Sequence, residues 1–194
     1  MQAKDALIVV DVQNDFCPGG ALAVPSGDRV VPVLNRYIEK FKNAERPVYA
    51  TRDWHPEKTG HFTAFGGKWP PHCIQRTQGA EFHAELRLPE DAVIISKGTR
   101  PDEDSYSGFD GVDSQGTGLV DLLRRQGVNR LFVGGLATDY CVKHTVLDGL
   151  AEGFEVIFLE DGSRGVDLQP GDSERAVQEM TRAGAKLAGA DDSV

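Results

Sequence analysis

No stretch of the sequence approaches the roughly twenty consecutive apolar residues that a membrane-spanning helix needs, so a bilayer protein is not expected. The chain opens Met1-Gln2-Ala3-Lys4-Asp5 and runs straight into a short apolar segment that an Asp ends. That opening lacks the plan of a secretory leader, and a cytoplasmic location is expected. Cysteine is scarce: Cys17, Cys73 and Cys141 are odd in number and far apart, which argues against a disulfide framework and for a reducing compartment. Positive charge is outnumbered, with a formal net charge of -9, so phosphate backbones and anionic lipid are repelled and nucleic acid is not an expected partner. Internal repeats and low-complexity tracts are missing as well.

What is present fits one domain. A chain of 194 residues, 40% hydrophobic and 26% charged, can bury a core without staples. Residues 1–188 read as that domain and residues 189–194 as a small acidic tail. Short apolar runs at 6–10, 48–51, 92–96, 130–134 and 155–159 mostly lack polar alternation, as strands covered on both faces do. Helical stripes lie between them: Val30, Leu34, Ile38 and Phe41 after Asp28; Leu119, Leu122 and Leu123 before Gly127; Val142, Val146 and Leu150 after an N-cap at Thr138 or Asp139; Val177 and Met180 before Gly184. A sixth strand is expected near Leu187. Alternating strands and helices predict a doubly wound, three-layer αβα fold with a mostly parallel sheet of five to six strands. Two connections, from Asp53 to about Pro89 and from Lys97 to about Gly116, are too long for ordinary loops and are expected to carry function.

In such sheets ligands bind beyond the carboxyl ends of the strands. Asp11 follows the first run, Asp53-Trp54-His55 the second, Lys97 the third, Cys141 the fourth and Asp161-Gly162 the fifth. Cys141 falls in the first turn of a predicted helix, where amide N–H groups favour a thiolate and can form an oxyanion hole. Lys97 could keep Asp11 ionised and balance the thiolate. Four of the five histidines lie between His55 and His83. Asp53, His55 and His72, with His61 as a fourth and Cys73 as an alternative, are the ligand types for Zn, Fe(II) or Mn. His83 and His144 are placed on helices with structural roles. Phe16 and Trp69, in the loops over this rim, could sandwich a flat heteroaromatic ligand or simply pack a lid. A core cysteine, a solvated lysine and scattered loop histidines would each explain one motif. They do not explain why all of them share one rim.

The segments Asp11-Val12-Gln13-Asn14-Asp15-Phe16, Asp53-Trp54-His55-Pro56, Trp69-Pro70-Pro71-His72-Cys73, Lys97-Gly98 and Gly135-Leu136-Ala137-Thr138-Asp139-Tyr140-Cys141-Val142 resemble the nicotinamidase branch of the isochorismatase-like cysteine hydrolases. The likeness runs in order from about Ala6 to Leu187. It implies an amidohydrolase that converts nicotinamide, and by the same chemistry pyrazinamide, to the acid and ammonia, as a step of pyridine nucleotide salvage in NAD metabolism. It implies a triad of Asp11, Lys97 and Cys141 and a thioester on Cys141. The oxyanion would rest on the N–H groups of Ala137 and Cys141, after a cis Leu136–Ala137 peptide. One divalent ion, Zn before Fe or Mn, would be held by Asp53, His55, His72 and, less firmly, His61. Phe16, Trp69 and Tyr106 would contact the substrate ring. A homo-oligomer is compatible with all of this. Three rivals differ: a related amidase acting on another carboxamide or ureide, a metal catalyst with Cys141 as packing, and a metal-dependent binding protein without turnover.

Overall fold

The computed structural model describes residues 4–189; of the expected acidic tail, everything after Gly189 lies outside the described residues. The strands are β1 (Asp5–Val10), β2 (Val48–Asp53), β3 (Val93–Lys97), β4 (Arg130–Leu136), β5 (Glu155–Arg164) and β6 (Lys186–Ala188), and the α-helices are α1 (Val30–Asn43), α2 (Leu119–Arg125), α3 (Lys143–Ala151) and α4 (Asp172–Ala183). They form one six-stranded sheet in the order β3-β2-β1-β4-β5-β6. Every neighbouring pair is parallel.

The apolar runs become strands because both faces of each are covered. In β1 all six residues are buried. Leu7 and Val9 pack on one side with Val30, Leu34, Ile38 and Phe41 of α1. Ala6, Ile8 and Val10 pack on the other with Leu119 and Leu123 of α2, Val146 of α3 and Met180 of α4. Burying each such side chain contributes about 1.5–3 kcal/mol, so the helical stripes, rather than helix propensity, hold the layers together. The strand order reverses between β1 and β4, and a crevice opens there at their carboxyl ends. Gly135 lets the two strands close at that point: its φ is +138°, and a Cβ would lie 2.0 Å from the Val10 carbonyl oxygen.

Three local expectations are corrected. β5 runs on to Arg164 because its register against β4 shifts between Val133 and Gly135, so Asp161 does not follow the strand. Its carboxylate instead accepts from the Tyr37 hydroxyl at 3.1 Å, on the α1 face. Neither Thr138 nor Asp139 caps α3; a π-helical turn, Thr138–Val142, precedes it, with Ala137 at its start. Asp139 accepts instead from the backbone N–H groups of Val166 and Asp167 at 2.9 and 2.8 Å, pinning the loop after β5 against the crevice. His144 is on α3 as expected, but His83 lies outside any helix, its Nδ1 accepting from Glu85 N at 3.2 Å.

Candidate active site

Asp11 ends β1 in a left-handed conformation, φ +48°, which a non-glycine residue holds only at a cost of about 1 kcal/mol or more. The turn drops its carboxylate into the floor of the crevice, with no exposure to solvent. The Thr51 hydroxyl donates to Asp11 Oδ1 at 2.7 Å. Lys97 Nζ lies 2.8 Å from Oδ2, yet that oxygen has no aligned hydrogen-bond donor, which leaves a lone pair able to take a proton. Lys97, fully buried at the end of β3, also pairs with Asp53 Oδ1 and lies 3.5 Å from Cys141 Sγ. Acid, amine and sulfur, from three strand ends, meet as their positions in the sequence suggested.

One ammonium thus faces two buried carboxylates, and they do not share it equally. Burial opposes ionisation of Asp53, but Lys97 and the adjoining histidines outweigh it and hold Asp53 well below the usual carboxylate range. Asp11 is pushed up, first by burial and then by the charge of Asp53, with Lys97 only partly offsetting them. Lys97 itself stays charged, because the two acids outweigh its burial. The sulfur differs from expectation. Burial raises the Cys141 thiol well above its ordinary value, and Lys97 does not compensate against Asp11 and Asp53. Cys141 therefore rests as a thiol beside an acceptor of raised basicity, not as the thiolate that its helix start suggested.

Alongside lies a cage of imidazoles. His55, His61 and His72 present donor atoms all within 4.8 Å of one another, and all three are buried. Each ring is oriented by an outer acceptor: Nδ1 of His55 donates to Gly98 O at 3.0 Å, Nδ1 of His72 to Pro70 O at 2.7 Å, and Nδ1 of His61 to Asp104 Oδ1 at 2.5 Å. Carbonyl and carboxylate oxygens can only accept, so in the neutral ring the proton sits on Nδ1 and the lone pair on Nε2. His55 Nε2 is buried without a hydrogen-bond partner. Asp53 Oδ2 is 3.6 Å from His55 Nε2 and 3.7 Å from His72 Nε2, beyond a hydrogen bond but close to the spacing of two donors sharing one small cation. Burial and neighbouring His55 push His61 down, keeping it in the neutral form that a metal takes. The residues fit a divalent ion with nitrogen and carboxylate ligands. A second group of metal-ligand types, Asp11, Asp53 and Cys141, already holds the Lys97 ammonium, so a cation there would meet like charge. Cys73, an alternative ligand by sequence, belongs to neither group. It is fully buried, and its N–H donates to Asp15 Oδ2 at 2.7 Å.

Both sets open on one narrow cleft, partly open to solvent, whose walls include Phe16, Trp69, Tyr106, Ala137, Cys141 and His72. Asp53 and His61 reach it too, while Asp11, Lys97 and His55 lie directly beneath, fully buried. Trp69 Nε1 donates to the Tyr106 hydroxyl at 2.9 Å, so the two long connections meet across the mouth. The Leu136–Ala137 peptide is cis, as the resemblance implies. Sequence reasoning missed Leu22, Val24, Tyr140 and Val166, which complete the walls. Tyr140 adjoined a motif already in view; the other three carry no signal beyond being apolar. It also missed Gln13, whose side chain accepts from Asp53 N and donates to Asp53 O and Ala80 O, all at 2.8 Å, locking the ends of β1 and β2 together.

An isochorismatase domain model matches residues 5–192. The nicotinamidase of Escherichia coli K12 is 46% identical over 198 residues, covering 94% of this chain and 93% of that protein. The nicotinamidase/pyrazinamidase of Mycobacterium tuberculosis is 38% identical, covering 94% of this chain and 97% of that one. The crystal structure of the pyrazinamidase of Pyrococcus horikoshii in complex with zinc is 52% identical, with a TM-score of 0.89, covering 96% of this chain and 99% of its own. On this fold, this cleft and these relatives, the chain belongs to the isochorismatase family, within its nicotinamidase/pyrazinamidase branch.

Proposed function

We propose that the protein is a metal-assisted cysteine amidohydrolase that converts nicotinamide to nicotinate and ammonia and hydrolyses pyrazinamide in the same way. The carrying observation is the meeting of Asp11, Lys97 and Cys141 next to a histidine cage in a single aromatic-walled cleft. Cys141 Sγ attacks the carboxamide carbon as its proton passes to Asp11. The oxyanion is received by the N–H groups of Ala137 and Cys141. As the C–N bond breaks, Asp11 returns the proton to the leaving nitrogen and ammonia departs, leaving a thioester. Asp11 then takes a proton from an incoming water, whose hydroxide adds to the thioester; as the C–S bond breaks, Asp11 gives that proton to the departing sulfur, and the acid is released with the thiol and the ionised base restored. Lys97 stays protonated throughout and neutralises part of the charge that passes between Asp11 and the sulfur.

Asp53, His55, His61 and His72 would hold one divalent ion, Zn before Fe or Mn. When bound, it supplies a Lewis-acid contact for the ring nitrogen that orients the substrate. Phe16, Trp69 and Tyr106 flank the ring from the cleft walls. Residues 1–188 act as one catalytic domain. We place the enzyme in the cytoplasm, where NAD metabolism would supply its substrate. Three unpaired buried cysteines agree with a reducing compartment, and no helix among the described residues is long and apolar enough to cross a membrane. Nucleic acid is not a proposed partner of a chain with a formal net charge of -9.

The decisive experiment is ammonia release from nicotinamide by wild type and Cys141→Ala, before and after metal removal. Loss of turnover in both perturbed samples is expected. Turnover retained by Cys141→Ala would make the metal the catalyst, and binding without ammonia release would make the protein a receptor.

A further inference from the structure

The connection between Lys97 and α2 does more than deliver Tyr106 to the cleft. Its first part is a tight, self-capped turn: the Glu103 carboxylate accepts from Thr99 N at 3.0 Å and Arg100 N at 3.2 Å. That turn is stitched to the loop carrying His61, since Pro101 O accepts from Gly60 N at 2.8 Å and from the Thr59 hydroxyl at 3.1 Å. The stitching places Asp104 over His61. Its side chain is 66% exposed, whereas that of His61 is 3% exposed, so a solvated carboxylate gives up part of its hydration to reach a buried ring. The contact, 2.5 Å from Nδ1–H to Oδ1, is the shortest of the three that orient the cage imidazoles, and the only one supplied by a charged side chain. On its other sides His61 meets rings: His55 stacks at 4.6 Å and Tyr106 stands edge-on at 5.9 Å. Those contacts set the plane of the imidazole but do not choose which nitrogen bears its proton.

We propose that Asp104 is a positioning residue for the metal: by accepting from Nδ1–H it fixes the tautomer and rotation of His61, and so makes His61 a full ligand. The proposal rests on the metal reading given above. A carboxylate behind a ligating imidazole raises the basicity of the far nitrogen as well as aiming it, and removing such a partner typically weakens metal binding by about 10–100-fold.

The test is Zn²⁺ affinity, measured by competition with a chromophoric chelator on the purified full chain after stripping and reloading. Asp104→Ala should bind Zn²⁺ about 10–100-fold more weakly, with Asp104→Asn in between, because its amide oxygen still accepts but carries no charge. The melting temperature of the stripped protein and the alkylation rate of its Cys141 should stay at wild-type values, which separates a ligand-orienting role from a general loss of structure. In a His61→Ala background, Asp104→Ala should have no further effect on affinity. Wild-type affinity in Asp104→Ala overturns the proposal, as does an undiminished loss in the His61→Ala background. A wild-type protein that fails to retain Zn²⁺ overturns the metal reading itself.

Discussion

At the scale of the residue, the unequal division of Lys97 between two acids has consequences that can be measured. Asp11 must be ionised to accept the thiol proton, and its carboxyl is raised above the ordinary value. As pH falls through that raised value Asp11 protonates and the base is lost, so the acid limb of kcat/KM should lie above the usual carboxylate range. The sign for stability is the opposite one. A carboxyl raised on folding contributes stability that is full below the unfolded value of 3.8 and is lost as pH rises through the folded one. At neutral pH ionised Asp11 is therefore a burden on the fold. Asp11→Asn should lower kcat by about 10³-fold or more while melting at or above the wild-type temperature, as turnover assays and thermal scans would show. Lys97→Met should behave differently. It leaves two buried carboxylates without a cation and should cost about 3–5 kcal/mol by chemical denaturation, well beyond a loss of activity alone.

At the scale of the element, strand ends act as fixed brackets for side chains, and the residue just past each end decides what the bracket holds. Gly98 follows β3 with φ +62°, and a Cβ there would lie 2.4 Å from His55 Cε1. Gly98 also supplies the carbonyl that orients the same ring. Gly98→Ala should therefore displace His55 and weaken metal binding by about tenfold or more, beyond roughly 1 kcal/mol of backbone strain. Equilibrium metal titration checks the first effect and denaturation of the stripped protein the second. The strands and helices were legible in the sequence because their periodicity is local: the stripes from Val30 to Phe41 and from Leu119 to Leu123 mark α1 and α2 without further information. The extension of β5 was not legible, because it depends on a register shift against β4. Nor was the role of Asp139, whose partners Val166 and Asp167 lie in a loop that sequence spacing does not bring near.

At the scale of the whole molecule, the cage ties the end of β2 to two later points of the long connection that follows it, so a bound ion should act as a clamp on that part of the fold. Zn²⁺ at one hundred times its dissociation constant adds about 2.7 kcal/mol, and for a chain of this size that corresponds to a rise of roughly 5–10 °C in melting temperature. Calorimetry with and without chelator measures it; an unchanged melting temperature would mean that the ion does not bind the folded form selectively. Alkaline stability follows from a different group. Burial, with a smaller push from Asp28, raises the Cys17 thiol to about 11. Its contribution is full below the unfolded value of 9.0 and fades as pH rises towards about 11. Cys17→Ala should lessen the loss of melting temperature over that window, with the raised thiols of Cys73 and Cys141 contributing the rest.

The sequence by itself determined the parallel sheet, the positions of its strand ends and the chemical types gathered there, because hydrophobic period and residue identity are properties of short stretches of chain. It placed Asp11, Lys97 and Cys141 on one rim, and it drew attention to the crowded histidines. Only the tertiary structure decided their protonation and their neighbours. Burial made Cys141 a thiol, one lysine was divided unequally between Asp11 and Asp53, and Asp104 was brought onto His61 by a turn that the spacing of residues does not reveal. Charge and orientation depend on what lies nearby in space and on how little water remains between the groups. Neither is written in any single segment of the chain.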